Sequence, residues 1–156
     1  MGHDITANVP GIDRDGLQKK YRIDDYDAEW PDRYDLYCQE SEVAYCRRGA
    51  FNPLNQVLYL SLGVYDEAYD GCSGTGITLA ISKEQFSAAM ACLEGKSFEG
   101  MERPRNAADE GIQGLDIIQI HNRGDSGDVT QEMNFLYLCW CYCDQHNLDS
   151  LEVAFK

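Results

Sequence analysis

The sequence predicts an α+β fold: a two-layer sandwich with about three helices on one face of a mixed or antiparallel sheet of four to five strands. Three observations predict it. Four stretches alternate apolar and polar residues with period two, and three others repeat apolar residues at helical spacing. The apolar fraction of 44% is that of a folded globular chain, not a disordered one. At 156 residues the chain fits a single domain, 1–156, able to bury about two-thirds of its unfolded surface.

The first strand places Ile5, Ala7 and Val9 between Asp4, Thr6 and Asn8. In the second, Val43 and Tyr45 alternate with Ala44 and Cys46 until Arg47 and Arg48 close the run. Ile77, Leu79 and Ile81 alternate with Thr78 and Ala80 in the third, and Leu151, Val153 and Phe155 with Glu152, Ala154 and Lys156 in the last. Alternation of this kind belongs to strands buried on one side only, hence to a sheet covered on one face.

The first helix opens at Asn52-Pro53, an N-cap followed by Pro at N1, and carries Leu54, Val57, Leu58 and Leu62 until Gly63. The second begins with Ser82 and Gln85 in capping-box spacing. Its stripe of Phe86, Ala89, Met90 and Leu93 follows i, i+3, i+4, i+7, and Gly95 stands at the C′ position. The third runs over 129–147 with Asp128 or Thr130 as cap. Phe135, Leu136, Cys139, Cys143 and His146 share one sector, flanked by Met133 and Trp140. So broad an apolar surface predicts a central helix, or one that pairs with its twin in a homodimer. Two stretches, Gly11–Glu42 and Lys96–Gly127, are rich in turn residues, although Leu115–His121 has the pattern of a short buried strand or helical turn.

Charge excludes more partners than any motif selects. Thirteen Lys and Arg stand against 27 Asp and Glu, a net −14. Such a field repels nucleic-acid phosphates and anionic membranes, so neither is an expected partner. A basic protein, a cation, or solubility at high salt remain. The longest apolar run, Phe135–Cys143, is far too short for a span. The start of the chain lacks the basic and apolar regions of a signal peptide. Gly2 and Thr6 match a myristoylation spacing, but no basic patch supplies a second membrane signal, and a strand start is the expected role. Seven cysteines, an odd number, fit reduced thiols in the cytoplasm.

Several motifs carry possible chemistry. Cys139, Cys143 and His146 at i, i+4, i+7 could face a metal, with Cys92 as a distant fourth ligand. The same positions centre the core face, where Cys packs as a small hydrophobe, so no metal is expected. The loop Gly71-Cys72-Ser73-Gly74-Thr75-Gly76 could present a nucleophile, but it has neither the P-loop Lys nor Gly-x-Ser-x-Gly, and a flexible turn is expected. Gly11–Arg22 begins like a calcium loop yet lacks its first ligand and its final glutamate. Arg123-Gly124-Asp125 is a chance tripeptide. No cofactor is indicated.

The strongest candidate is Asp24–Glu42, in which eight acids interleave with Tyr26, Trp30, Tyr34 and Tyr37 against a lone Arg33. Asp24, Asp25, Tyr26, Asp27, Glu29, Trp30, Asp32, Tyr34 and Asp35 are the expected partner-binding residues. Aromatic rings anchor interfaces, and carboxylates around them complement Lys/Arg-rich surfaces. The expectation is a non-enzymatic module that masks a basic protein partner, similar in general character to immunity proteins and other stoichiometric inhibitors. The rival is a small enzyme with Cys72 or Ser73 as nucleophile and His121 or His146 as base; no catalytic residue is assigned.

Overall fold

The computed structural model describes residues 2–94 and 129–156. In chain order it contains β1 (Gly2–Asn8), α1 (Arg14–Lys20), α2 (Trp30–Ser41), β2 (Glu42–Gly49), a 3-10 turn (Pro53–Gln56) and α3 (Val57–Leu62). There follow α4 (Tyr65–Ala68), β3 (Tyr69–Asp70), β4 (Ser73–Gly74), β5 (Thr78–Ser82), α5 (Lys83–Leu93), α6 (Thr130–His146) and β6 (Ser150–Phe155). The fold is α+β. One four-stranded sheet has the order β2-β1-β6-β5 with every pair antiparallel, and β3 and β4 form a separate hairpin.

All four strands read from alternation are present, but in β2 the phase is the reverse of the one expected: Ala44 and Cys46 face the core, while Tyr45 is exposed and Val43 only partly buried. Ile5, Ala7, Ala44, Cys46, Ile81, Leu151, Val153 and Phe155 are buried on one face. There they meet Leu54, Val57, Leu58 and Leu62 of the first predicted helix, Phe86, Ala89 and Leu93 of α5, and Phe135, Leu136, Cys139 and Cys143 of α6. Each large side chain buried this way contributes about 1.5–3 kcal/mol. On the opposite face Thr6, Tyr45 and Glu152 look outward, and the Tyr45 hydroxyl donates to Asp4, which also pairs with Arg47 at 3.7 Å.

The helix ends follow their sequence signals. Asn52 Oδ1 accepts the Leu54 N–H at 2.9 Å, and Gly63 closes α3 at φ +72°, where a Cβ would be strained. Ser82 and Gln85 exchange both capping-box hydrogen bonds, each at 3.0 Å. For α6 the structure differs: Val129 occupies the cap without a side-chain bond and Thr130 is the first helical residue. Asp128 and Gly95 lie outside the described residues, as do 96–127 with Leu115–His121.

Among the described residues the helices already outnumber the expected three. The additional ones are α1 and α2, inside the stretch read as turn-rich, and the single turn α4. The eight acids of Asp24–Glu42 hid the helical spacing of Trp30, Tyr34, Tyr37 and Ser41. None of the core residues comes from α1, and of α2 only Ser41 is buried. These two helices form an arm beside the body, and α2 runs directly into β2.

Candidate functional site

Local chemistry builds the arm. Asp13 caps α1 by accepting the Gly16 N–H at 3.0 Å. Pro31 opens α2, where its missing N–H would have had no partner. Trp30, Tyr34 and Tyr37, at i, i+4 and i+7, then fall on one side of the helix. Their rings continue outward from Tyr26 as a ladder. Tyr26 lies 5.4 Å from Trp30, Trp30 stacks on Tyr34 at 4.8 Å and 14°, and Tyr34 lies 6.1 Å from Tyr37.

Two polar anchors hold the ladder. The Trp30 indole N–H donates to Ile23 O at 2.8 Å. Arg33 reaches back across the connection: Nε donates to Tyr21 O at 2.9 Å, Nη2 to Asp25 O at 2.6 Å, and Nη1 to Asp27 Oδ1 at 2.6 Å. The lone cation of the acidic stretch is thus an internal staple, its side chain only 12% exposed. Its hydrogen bond holds the Asp27 carboxyl below the ordinary carboxylate value. Glu40 is bound by the Tyr21 hydroxyl and by Lys20 at 3.0 Å, and those bonds lower its pKa in that order. Burial pushes the Tyr34 phenol up to about 12, with the Cys38 side chain adding to the rise.

The structure brings the predicted binding residues together. Asp24, Asp25, Glu29, Asp32 and Asp35 are exposed, Tyr26 is 82% exposed and Tyr34 39%. Trp30 is half-buried and organises the ladder. Asp27 is already committed to Arg33, and among the described residues the other five acids have no ion-pair partner. The surface offers aromatic faces flanked by exposed carboxylates, a combination suited to guanidinium and ammonium groups.

The remaining motifs have structural occupations. Cys139 and Cys143 are buried, and burial raises both thiols. His146 stacks on Tyr142 at 4.2 Å, on an exposed part of α6. Among the described residues no three potential metal ligands cluster. In the glycine loop, a Cβ on Gly74 would meet Phe155 C and O at 2.5 Å, so glycine lets the β3–β4 hairpin press on β6. Thr75 N donates to Ala68 O and Gly76 N to Phe155 O, at 2.9 and 2.8 Å. The stretch is a fastened turn rather than a flexible one. Cys72 is exposed, while His121 lies outside the described residues, as does Arg123-Gly124-Asp125. The calcium-like stretch is α1 with Asp13 as its cap. Gly2 is buried in β1 opposite Gly49. No described helix is long and apolar enough to cross a membrane.

Sequence reasoning missed two buried polar clusters. His3, 1% exposed, bonds the Tyr59 hydroxyl through Nδ1 at 2.8 Å and Gly71 O through Nε2 at 3.2 Å, and stacks on Tyr69 at 5.1 Å. Its place in the inward series with Ile5 and Ala7 was the available signal. Glu132, also 1% exposed, takes a two-point contact from Arg48 at 2.6 and 2.9 Å, and Gln131 Oε1 accepts the Arg47 N–H at 2.7 Å. Together they tie α6 to β2. Compared with protein-family models, curated proteins and solved structures, the chain matches none.

Proposed function

We propose that this protein is a non-enzymatic binding module that masks a basic protein partner through the aromatic, acidic side of its arm. The observation that carries the reading is the ladder Tyr26–Trp30–Tyr34–Tyr37, stapled by Arg33 and bordered by exposed Asp24, Asp25, Glu29, Asp32 and Asp35. Rings contribute desolvated contact area at low entropic cost, and carboxylates steer encounter and choose the sign of the partner. Rigid stapling supports it further, because a preorganised surface loses less entropy on binding.

The test is the rate of association with a captured basic protein as salt is raised. The reading expects the rate to fall steeply from low to physiological ionic strength, since the Debye length shrinks to about 8 Å. A salt-independent rate would contradict it. A second copy is the other partner we propose, for α6, whose Tyr137 and Leu138 are 58% and 49% exposed. A Tyr137→Asp/Leu138→Asp variant that leaves a wild-type dimer intact in light scattering would remove that reading.

A further inference from the structure

The two edges of the main sheet are finished differently. On β2 the outward Arg47 N–H is taken by Gln131, and the exposed Arg47 side chain puts charge along the edge. Charged side chains and side-chain caps are how proteins keep sheet edges from pairing. β5 has neither device. From Gly74 to Ser82 there is no charged residue, in a chain of net charge −14.

Its hydrogen-bonding directions are determined by its neighbours. Asp4 and Lys156 exchange both backbone bonds at 2.9 Å, and Phe155 N donates to Ile77 O at 2.9 Å. With the register Thr78↔Ala154 and Leu79↔Val153, alternation turns Leu79 and Ile81 toward β6 and turns Thr78, Ala80 and Ser82 away from it. The Ser82 N–H is used by Gln85 in the capping box. The N–H and C=O groups of Thr78 and Ala80 have no partner among the described residues, and both residues are exposed.

We propose that this edge joins two copies of the chain, with β5 pairing antiparallel to β5 of the second copy about a two-fold axis at Leu79. That register alone matches the free groups to one another. Thr78 of each copy faces Ala80 of the other, and the two residues exchange N–H···O=C bonds in both directions, which consumes every outward amide between Gly76 and Ser82. Leu79 then meets Leu79 as a non-hydrogen-bonded pair, about 4.5 Å apart at Cα, where side chains touch best. Ile77, 36% exposed, lies across from Ile81 and gains cover. The outer side chains in the seam, Thr78 and Ala80, are small and uncharged, so the same patch complements itself, as a two-fold interface requires. A basic partner finds no carboxylate on this strand; an identical neutral strand finds its match.

Electrostatics gives the dimer a distinctive signature. Two bodies of net charge −14 repel, so added salt strengthens this association, whereas it weakens the arm's hold on a basic partner. The two can fail separately.

The experiment is light scattering on the whole chain across concentration at low salt and at about 1 M salt, where the Debye length is about 3 Å, with amide exchange followed at Thr78 and Ala80. The expected result is a weak dimer favoured by salt, in which those two amides become protected as concentration rises. Ala80→Pro deletes an N–H that has no partner within the copy; losing two seam bonds weakens the dimer about tenfold or more. Thr78→Glu/Ala80→Glu, on exposed positions, abolishes it if the proline variant fails to fold. The proposal is overturned by a monomer with freely exchanging amides under all conditions. It is equally overturned by protection independent of concentration, or by a dimer that survives the double glutamate variant when Tyr137→Asp/Leu138→Asp has also removed the α6 surface.

Discussion

In the body, Phe86, Phe135 and Phe155 are at most 1% exposed, each surrounded by apolar neighbours from other elements. In the arm, Tyr26 is 82% exposed, Trp30 is only half-buried, and Arg33 and the Trp30 indole N–H fasten the chain that carries the rings. Burial grows with every carbon removed from water and makes the body cooperative. Polar stapling near the surface fixes a shape while adding little to global stability. The difference teaches that aromatic content alone does not locate a core: the body uses its rings for stability, and the arm displays them.

The largest effect should come from the body. Phe86→Ala removes a fully buried ring and is expected to cost about 3–5 kcal/mol in chemical denaturation; a loss below about 1 kcal/mol would break the division between the regions. Next is Glu132→Ala, which leaves Arg48 without its buried carboxylate. A cost of about 3 kcal/mol is expected, read as a shift in the denaturation midpoint at unchanged slope.

Arg33→Ala sharpens the contrast. Global stability should fall by no more than about 1 kcal/mol, while amides of residues 21–29 exchange faster and Trp30 fluorescence shifts. A cooperative loss as large as that from Phe86→Ala would show that arm and body are one unit. The smallest effect is pH dependence, and two carboxyls should move oppositely. Asp27 is depressed by Arg33, so its contribution is present above the ordinary carboxylate value and lost as pH falls through its folded value. Burial raises Glu42, at the junction with the sheet, so its contribution is present below the ordinary value and lost as pH rises through its folded value. Side-chain carboxyl shifts from NMR titration check both signs.

The body was largely legible in the sequence because its signals are periodic. Ile5 and Ala7, or Leu151, Val153 and Phe155, repeat every second residue, and Phe86, Ala89, Met90 and Leu93 trace a helix. The acidic aromatic composition of 24–42 was equally visible. What escaped was its conformation: a helix with little apolar surface to bury shows a weak stripe, and Pro31 followed by rings at helical spacing was the signal to weigh. The staple was out of reach, since Arg33 bonds carbonyls of Tyr21 and Asp25, and no residue type announces a backbone acceptor. The Glu132–Arg48 pair joins positions 84 apart in sequence, a separation that local pattern does not encode.

One measurement bears most directly on the claim that the arm is the binding surface. Two charge reversals of equal size are compared for retention on a captured basic protein: Glu29→Lys/Asp32→Lys/Asp35→Lys in the arm, and Asp66→Lys/Glu67→Lys/Glu84→Lys on exposed acids of the body. The account predicts that the arm variant loses retention at physiological salt, while the body variant keeps most of it and both unfold at nearly the wild-type midpoint. Equal losses in both would mean that net charge alone holds the partner, and the arm would have no special part in binding.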